Sequence, residues 1–151
     1  MTFINTILVI FLCSLSDYAF SCDCKVLQSL EKVRQISINE SDIIFLGELI
    51  EFDTVNFSYS FKIIEMYKGV HKESIIKGKV FSSCSLFPVD KSKWIVYAKA
   101  KGNLIDISEC LASRSEENPI CLNCYKMPAP NKTFFEKKIK RIRKRKRCIK
   151  K

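Results

Sequence analysis

Cysteine placement constrains this chain more than any other feature. Cys13 lies in an apolar stretch near the start, and the other seven are Cys22, Cys24, Cys84, Cys110, Cys121, Cys124 and Cys148. In an exported chain such a set reads as a disulfide framework. Export is what the first residues predict. The apolar run from Ile7 to Leu15 has nine residues. A bilayer span needs about 20, so the run fits the core of a signal peptide, although residues 1–6 hold no Lys or Arg. Ala19 and Ser21 are small, so cleavage is expected between Ser21 and Cys22. A buried N-terminal element is the alternative reading. A lipoprotein signal with lipid on Cys22 is a rival, but Ala19 stands where such signals carry Leu. Seven cysteines leave one free, shared between molecules, or lost by processing. Asn39, Asn56 and Asn131 each begin an Asn-x-Ser/Thr triplet open to glycosylation in a secretory pathway.

The formal charge of +10 is concentrated at one end. Residues 131–151 carry twelve Lys or Arg against the single acid Glu136, a formal +11, which leaves fourteen bases and fourteen acids in residues 22–130. A block such as Arg141, Arg143, Lys144, Arg145, Lys146 and Arg147 repels itself unless something anionic meets it. Its expected partners are sulfated glycans or an acidic envelope surface. Export argues against nucleic acid. The bland reading is a solvated tail. Phe134, Phe135, Ile139 and Ile142 lie at helical spacing, which predicts a short amphipathic helix from Thr133. No later apolar run is long enough to cross a membrane.

The neutral body reads as a helix followed by strands. Leu27, Leu30, Val33 and Ile36 predict a helix capped by Ser29 and ending near Ser37, with Glu31 and Lys32 in solvent. Residues 43–52 read as a strand bent at Gly47. Phe57, Tyr59, Phe61 and Ile63 alternate with Ser58, Ser60, Lys62 and Ile64, the period of a half-buried strand that ends at Tyr67-Lys68-Gly69. Residues 75–81, 94–98 and 104–107 supply three more strands. Five short antiparallel strands after a helix predict a small closed barrel, mainly β.

These residues occur in a familiar order. Cys22-x-Cys24 stands at the expected mature start, Ser41-Asp42-Ile43-Ile44-Phe45 opens the first strand, and Tyr67-Lys68-Gly69 closes the second. Cys84 follows the third, and Trp94-Ile95-Val96-Tyr97-Ala98 leads through Gly102 to Ile107-Ser108-Glu109-Cys110. Over residues 22–110 the chain resembles the N-terminal netrin-like domain of the tissue inhibitors of metalloproteinases. The resemblance implies a five-stranded OB-fold-like Greek-key barrel with flanking short helices, and disulfides Cys22–Cys84 and Cys24–Cys110. Each would close a loop of roughly 60 residues or more, worth about 3–5 kcal/mol on a loop-entropy account. It further implies inhibition of a zinc metalloproteinase. The free α-amine and the carbonyl of Cys22 would chelate the protease's zinc, while Asp23, Cys24, Ser82, Ser83, Cys84 and Ser85 would contact the protease. The zinc is the target's, and no cofactor of the chain's own is expected. The chain departs from the family pattern at Asp23, where a small or uncharged residue is usual, at Ser85, where Gly is usual, and in lacking the family's six-cysteine C-terminal domain.

The organisation expected is therefore a signal peptide (1–21), a netrin-like domain (22–115), a Cys- and Pro-containing connector (116–130) and a polybasic tail (131–151), in a secreted protein. A non-inhibitory netrin-like module held to anionic surfaces by its tail is the main alternative, and an exported oligosaccharide-binding barrel a third. An enzyme is not expected. Cys121-x-x-Cys124 lacks further zinc ligands nearby and sits among Pro119, Pro128 and Pro130, so a structural disulfide fits it better than a metal or redox site. His71, the only histidine, lies in a polar turn with no nucleophile partnered to it in sequence.

Overall fold

The computed structural model describes Cys22, Cys24, residues 29–117 and the helix Lys132–Ile149, with side chains in that helix from Phe135 to Lys144. The expectations for residues 1–21, Asp23, Cys121, Cys124 and the Cys148 side chain lie outside the described residues.

Helix α1 (Leu30–Glu40) begins where Ser29 Oγ accepts the Lys32 N–H at 3.4 Å. Glu31 in the first turn suits the positive end of the helix dipole. The helix outruns its expected end at Ser37 because Lys68 Nζ, reaching from the second strand, donates to the carbonyls of Ile38 and Ser41. Those carbonyls would otherwise lack partners at the helix terminus. Asp42 N–H then donates to Ala98 O, and the chain enters the sheet.

Five strands close a barrel. They are β1 (Ile43–Asp53), β2 (Ser58–Lys68), β3 (Ile75–Lys79), β4 (Lys93–Lys101) and β5 (Leu104–Ile107). The order is β1-β2-β3-β5-β4, and β4 pairs back onto β1 to complete the circle. All neighbours are antiparallel except β3 and β5, which run parallel through Gly78 and Ile105. This is the closed OB-type topology. The β1–β2 register shifts at Gly47, where the sequence predicts a bend.

Besides the end of α1, several boundaries differ from the sequence expectation, and β4 runs from Lys93 to Lys101 where residues 94–98 are expected. Phe57 belongs to the β1–β2 turn rather than to β2, at φ 50° and half exposed. The Asp53 carboxylate, accepting from Val55 N and Asn56 N, shapes that turn. Strand β3 stops at Lys79, not Phe81, because Ser85 Oγ takes the N–H groups of Phe81 and Ser82 out of the sheet. A sixth strand, β6 (Arg114–Ser115), pairs with Trp94 and Ile95 of β4, beyond the reach of β5. Two polar residues carry no period that a sequence reading could detect.

The core has two parts. Inside the barrel, Phe45 and Leu49 of β1 meet Tyr59 and Phe61 of β2, Trp94, Val96 and Ala98 of β4, and Ile105 and Ile107 of β5. Outside it, Ile44 and Leu46 of β1 and Ile95 and Tyr97 of β4 pack against Val33 of α1, against Leu111 and Ala112, and against Phe135 of the C-terminal helix α2 (Lys132–Ile149).

Gly78 permits the closest approach in the interior. A Cβ there would fall 2.1 Å from the Tyr59 ring. That ring is 2% exposed, and its hydroxyl donates to Ile105 O at 3.3 Å. Gly78→Ala is expected to destabilise the fold by about 1–3 kcal/mol through overpacking. The measurement is a thermal melt with both disulfides intact, and an unchanged midpoint would show that Tyr59 has room to retreat.

Candidate functional site

Two faces of the molecule gather the residues singled out by the sequence. The first is the edge that receives the N-terminal cysteines. A short backbone ladder joins the chain after β3 to the end of β5. Leu86 N–H donates to Ile107 O, Ser85 bridges Ser108, and Glu109 N–H donates to Cys84 O at 2.9 Å. This ladder carries Cys84 and Cys110 to one edge without help from sulfur. Cys22 is bonded to Cys84 and Cys24 to Cys110, with Cα separations of 4.8 and 5.3 Å. The bridges lie side by side, with Cys22 Sγ 3.7 Å from Cys24 Sγ and 3.6 Å from Cys110 Sγ. Three sulfurs so close resemble a metal cluster, but sulfur in a disulfide has no thiolate to give a metal.

The serines beside Cys84 divide. Ser82 and Ser83 are exposed on the turn. Ser85 is buried, and its Oγ accepts from Phe81 N and Ser82 N at 3.1 Å each. Its side chain therefore shapes the loop instead of facing a partner.

The second face is built by α2. Phe135, Lys138, Ile139 and Ile142 recur at the spacing of one helical stripe and turn toward the barrel. This docking stabilises a helix of 18 residues through a block that repels itself. The sequence predicts only a short helix from Thr133, and the helix instead runs from Lys132 to Ile149. Arg141 and Lys144 are exposed. Arg143 is not a free cation, because its Nε donates to Glu65 Oε2 at 2.8 Å.

Sequence reasoning missed three cations in this face. Arg34 of α1, Arg114 of β6 and Lys138 of α2 are 9%, 2% and 3% exposed. Lys138 Nζ donates to Ala112 O at 3.0 Å and stands 4.7 Å from the Tyr97 ring centroid. Burial first, then the charges of Arg114 and Arg34, hold its pKa well below the ordinary lysine value. Burial and the Arg34 charge likewise lower Arg114 to about 10. A lysine on the apolar stripe of so basic a helix looks, in sequence, like one more solvated charge.

No protein-family model matches the chain, and no curated protein matches it.

The depressed Lys138 pKa makes the docking of α2 depend on pH. The docked lysine holds its proton less tightly than the undocked one, so docking is strongest above the free-lysine pKa of about 10.4. It weakens as pH falls from there through the lowered value. Lys138→Met removes the buried charge at similar volume and is expected to stabilise the fold at neutral pH by roughly 1–3 kcal/mol. Melting midpoints between about pH 7 and 9.5 are expected to rise with pH more steeply for the wild type than for the variant. Parallel curves would show that Lys138 keeps its proton in the docked state.

Proposed function

We propose that the chain starting at Cys22 is a secreted inhibitor of zinc metalloproteinases. The observation that carries this reading is the pair of adjacent disulfides, which fix residues 22 and 24 on the barrel edge beside the exposed Ser82 and Ser83. The likeness to the tissue inhibitors of metalloproteinases over residues 22–110 supplies the chemistry. A catalytic zinc keeps one coordination position open for water. A free α-amine and the carbonyl of the same residue close a chelate ring at that position and displace the attacking water. The amine must be neutral to bind. Its pKa is about 8, and zinc competes readily with the proton. Tethering through Cys84 and Cys110 places the amine before the target arrives, which reduces the ordering cost of binding.

A second reading has its own support. The docked α2 presents Arg141 and Lys144 away from the barrel, as expected of a module retained on sulfated or acidic surfaces. No helix among the described residues is long and apolar enough to cross a membrane. The two readings use different faces and are compatible.

The test compares two oxidised proteins against a panel of zinc metalloproteinases. One starts at Cys22; the other carries an additional Ala before it. Both are expected to melt alike, and only the first to inhibit, because the extension turns the amine into an amide. Inhibition by both would exclude the chelate, and inhibition by neither would remove the inhibitor reading. Retention on heparin tests the second reading. R141E/K144E is expected to elute at lower salt with inhibition unchanged, and an unshifted elution would discard that reading.

A further inference from the structure

Disulfides form by oxidation, so the chain passes first through a state in which Cys22, Cys24, Cys84 and Cys110 are thiols. The fold presents two of them without any bridge. The backbone ladder through Leu86–Ile107, Ser85–Ser108 and Cys84–Glu109 sets Cys84 beside Cys110 by hydrogen bonds alone. Cys22 and Cys24 reach the same edge through sulfur, each bonded to one of that pair. A ligand that gathers all four sulfurs would hold the N-terminal residues at this edge before the bridges close.

The spacing of the sulfurs suits a metal. Zinc held by thiolates has Zn–S bonds of about 2.3 Å in a tetrahedron, which sets its sulfurs about 3.8 Å apart. Cys22 Sγ stands 3.7 Å from Cys24 Sγ and 3.6 Å from Cys110 Sγ, although neither pair is bonded. The Sγ atoms of Cys22, Cys24 and Cys110 all lie within 4.8 Å of one another, and Cys84 is the bonded partner of Cys22. Once the bridges are open, the two bonded pairs are free to separate toward the same spacing. All four cysteines are half-buried, so a metal ion can enter and still lose its water to sulfur. Four thiolates are a soft ligand set, which selects zinc over calcium or magnesium.

We propose that the reduced chain binds one zinc ion through the thiolates of Cys22, Cys24, Cys84 and Cys110, and that disulfide formation expels it. The oxidant is a small disulfide such as glutathione disulfide, two molecules for each chain. Each molecule takes two electrons from a thiolate pair and two protons from water, and its own S–S bond breaks to give two thiols. The pairs join as Cys22–Cys84 and Cys24–Cys110, and zinc leaves as the divalent ion. This zinc is bound by the chain itself and is distinct from the protease zinc of the inhibitor reading. The metal form and the oxidised form use the same sulfurs, so each excludes the other. The site rests on the sulfur cluster and not on inhibition, and it stands or falls separately from that reading.

The test takes the chain starting at Cys22, reduced and kept free of oxygen, and titrates it with cobalt(II) as a spectroscopic probe and then with zinc. Cys121, Cys124 and Cys148 also become thiols on reduction, so C121S/C124S/C148S is titrated alongside. In this triple variant one cobalt ion per chain is expected, with the visible bands of a tetrahedral site and a thiolate charge-transfer band, and zinc is expected to displace it. Zinc is also expected to raise the melting midpoint of the reduced triple variant, because metal bound to the folded state stabilises it. Loss of a ligand's outer partner already costs about 10- to 100-fold in affinity, so Cys84→Ser in the same background is expected to weaken zinc binding at least about tenfold. Glutathione disulfide is expected to release one zinc for every four thiols lost. Absence of the tetrahedral cobalt spectrum in the triple variant would overturn the proposal. So would an unchanged affinity in Cys84→Ser, or zinc kept by the chain after both bridges have formed. Zinc bound as tightly in concentrated urea as in buffer would also overturn it, since the ligands would then be thiolates of an unfolded chain and not a site made by the fold.

Discussion

Strands β1 and β4 pair from Ile43 opposite Ala98 to Glu48 opposite Lys93, and both are apolar on both sides from Ile43 to Gly47 and from Trp94 to Ala98. Their inward residues fill the barrel. Their outward residues, Ile44, Leu46, Ile95 and Tyr97, need a second cover. The need for that cover organises the rest of the molecule. Helix α1 lays Val33 over them from one side and α2 lays Phe135 from the other. Between the helices the chain after β5 descends as Leu111, Ala112 and Ser113, all buried. Ser37 Oγ accepts the Ala112 N–H, and Ser113 Oγ both accepts from Tyr97 N and donates to Tyr97 O. The barrel is therefore asymmetric, with one thick side bearing both helices.

That thick side explains how so basic a segment holds one helical conformation. A helix of this composition gains little from its own side chains, since like charges three and four residues apart repel. Its apolar stripe must supply the difference, and the stripe includes a lysine. Lys138 sits where an aliphatic residue would pack, and it brings a hydrogen bond and a ring contact as partial offset for desolvation. Such a residue is a poor choice for stability alone.

Much of this fold was legible in the sequence, because it rests on patterns that side-chain burial enforces. The Ser29 cap, the Tyr59–Phe61–Ile63 alternation and the Leu104–Ile107 strand all follow from local periodicity. The continuous runs in β1 and β4 announce burial on both faces but not what covers the second face. The disulfide pairing was implied by resemblance, not by spacing, since spacing alone leaves the connectivity open. What stayed hidden depends on long-range geometry. Arg114 is charged yet buried, set by its two-residue pairing with β4 opposite Ile95. Ser85 reads as a polar surface residue, but its hydroxyl satisfies two backbone N–H groups. Phe57 continues an apolar alternation, yet the Asp53 turn draws it out of the strand.

The two faces share one short piece of chain. Cys110, bonded to Cys24, is followed at once by Leu111 and Ala112. Ala112 is held by Ser37 of α1 through its N–H and by Lys138 of α2 through its carbonyl. The disulfide that fixes the N-terminal edge therefore also anchors the residue on which both helices converge. Beside that bridge, Ser113 is tied to Tyr97 through both its backbone-facing hydrogen bonds, so this short piece of chain is fixed from three sides. Lys138 is hydrogen-bonded two residues from Cys110, so the helical cover and the disulfide edge are adjacent along the chain although they lie on different faces. Rigidity at the N-terminal edge, which zinc chelation by Cys22 would require, is supplied by the two disulfides and by the backbone ladder that joins Ser85 and Cys84 to Ser108 and Glu109.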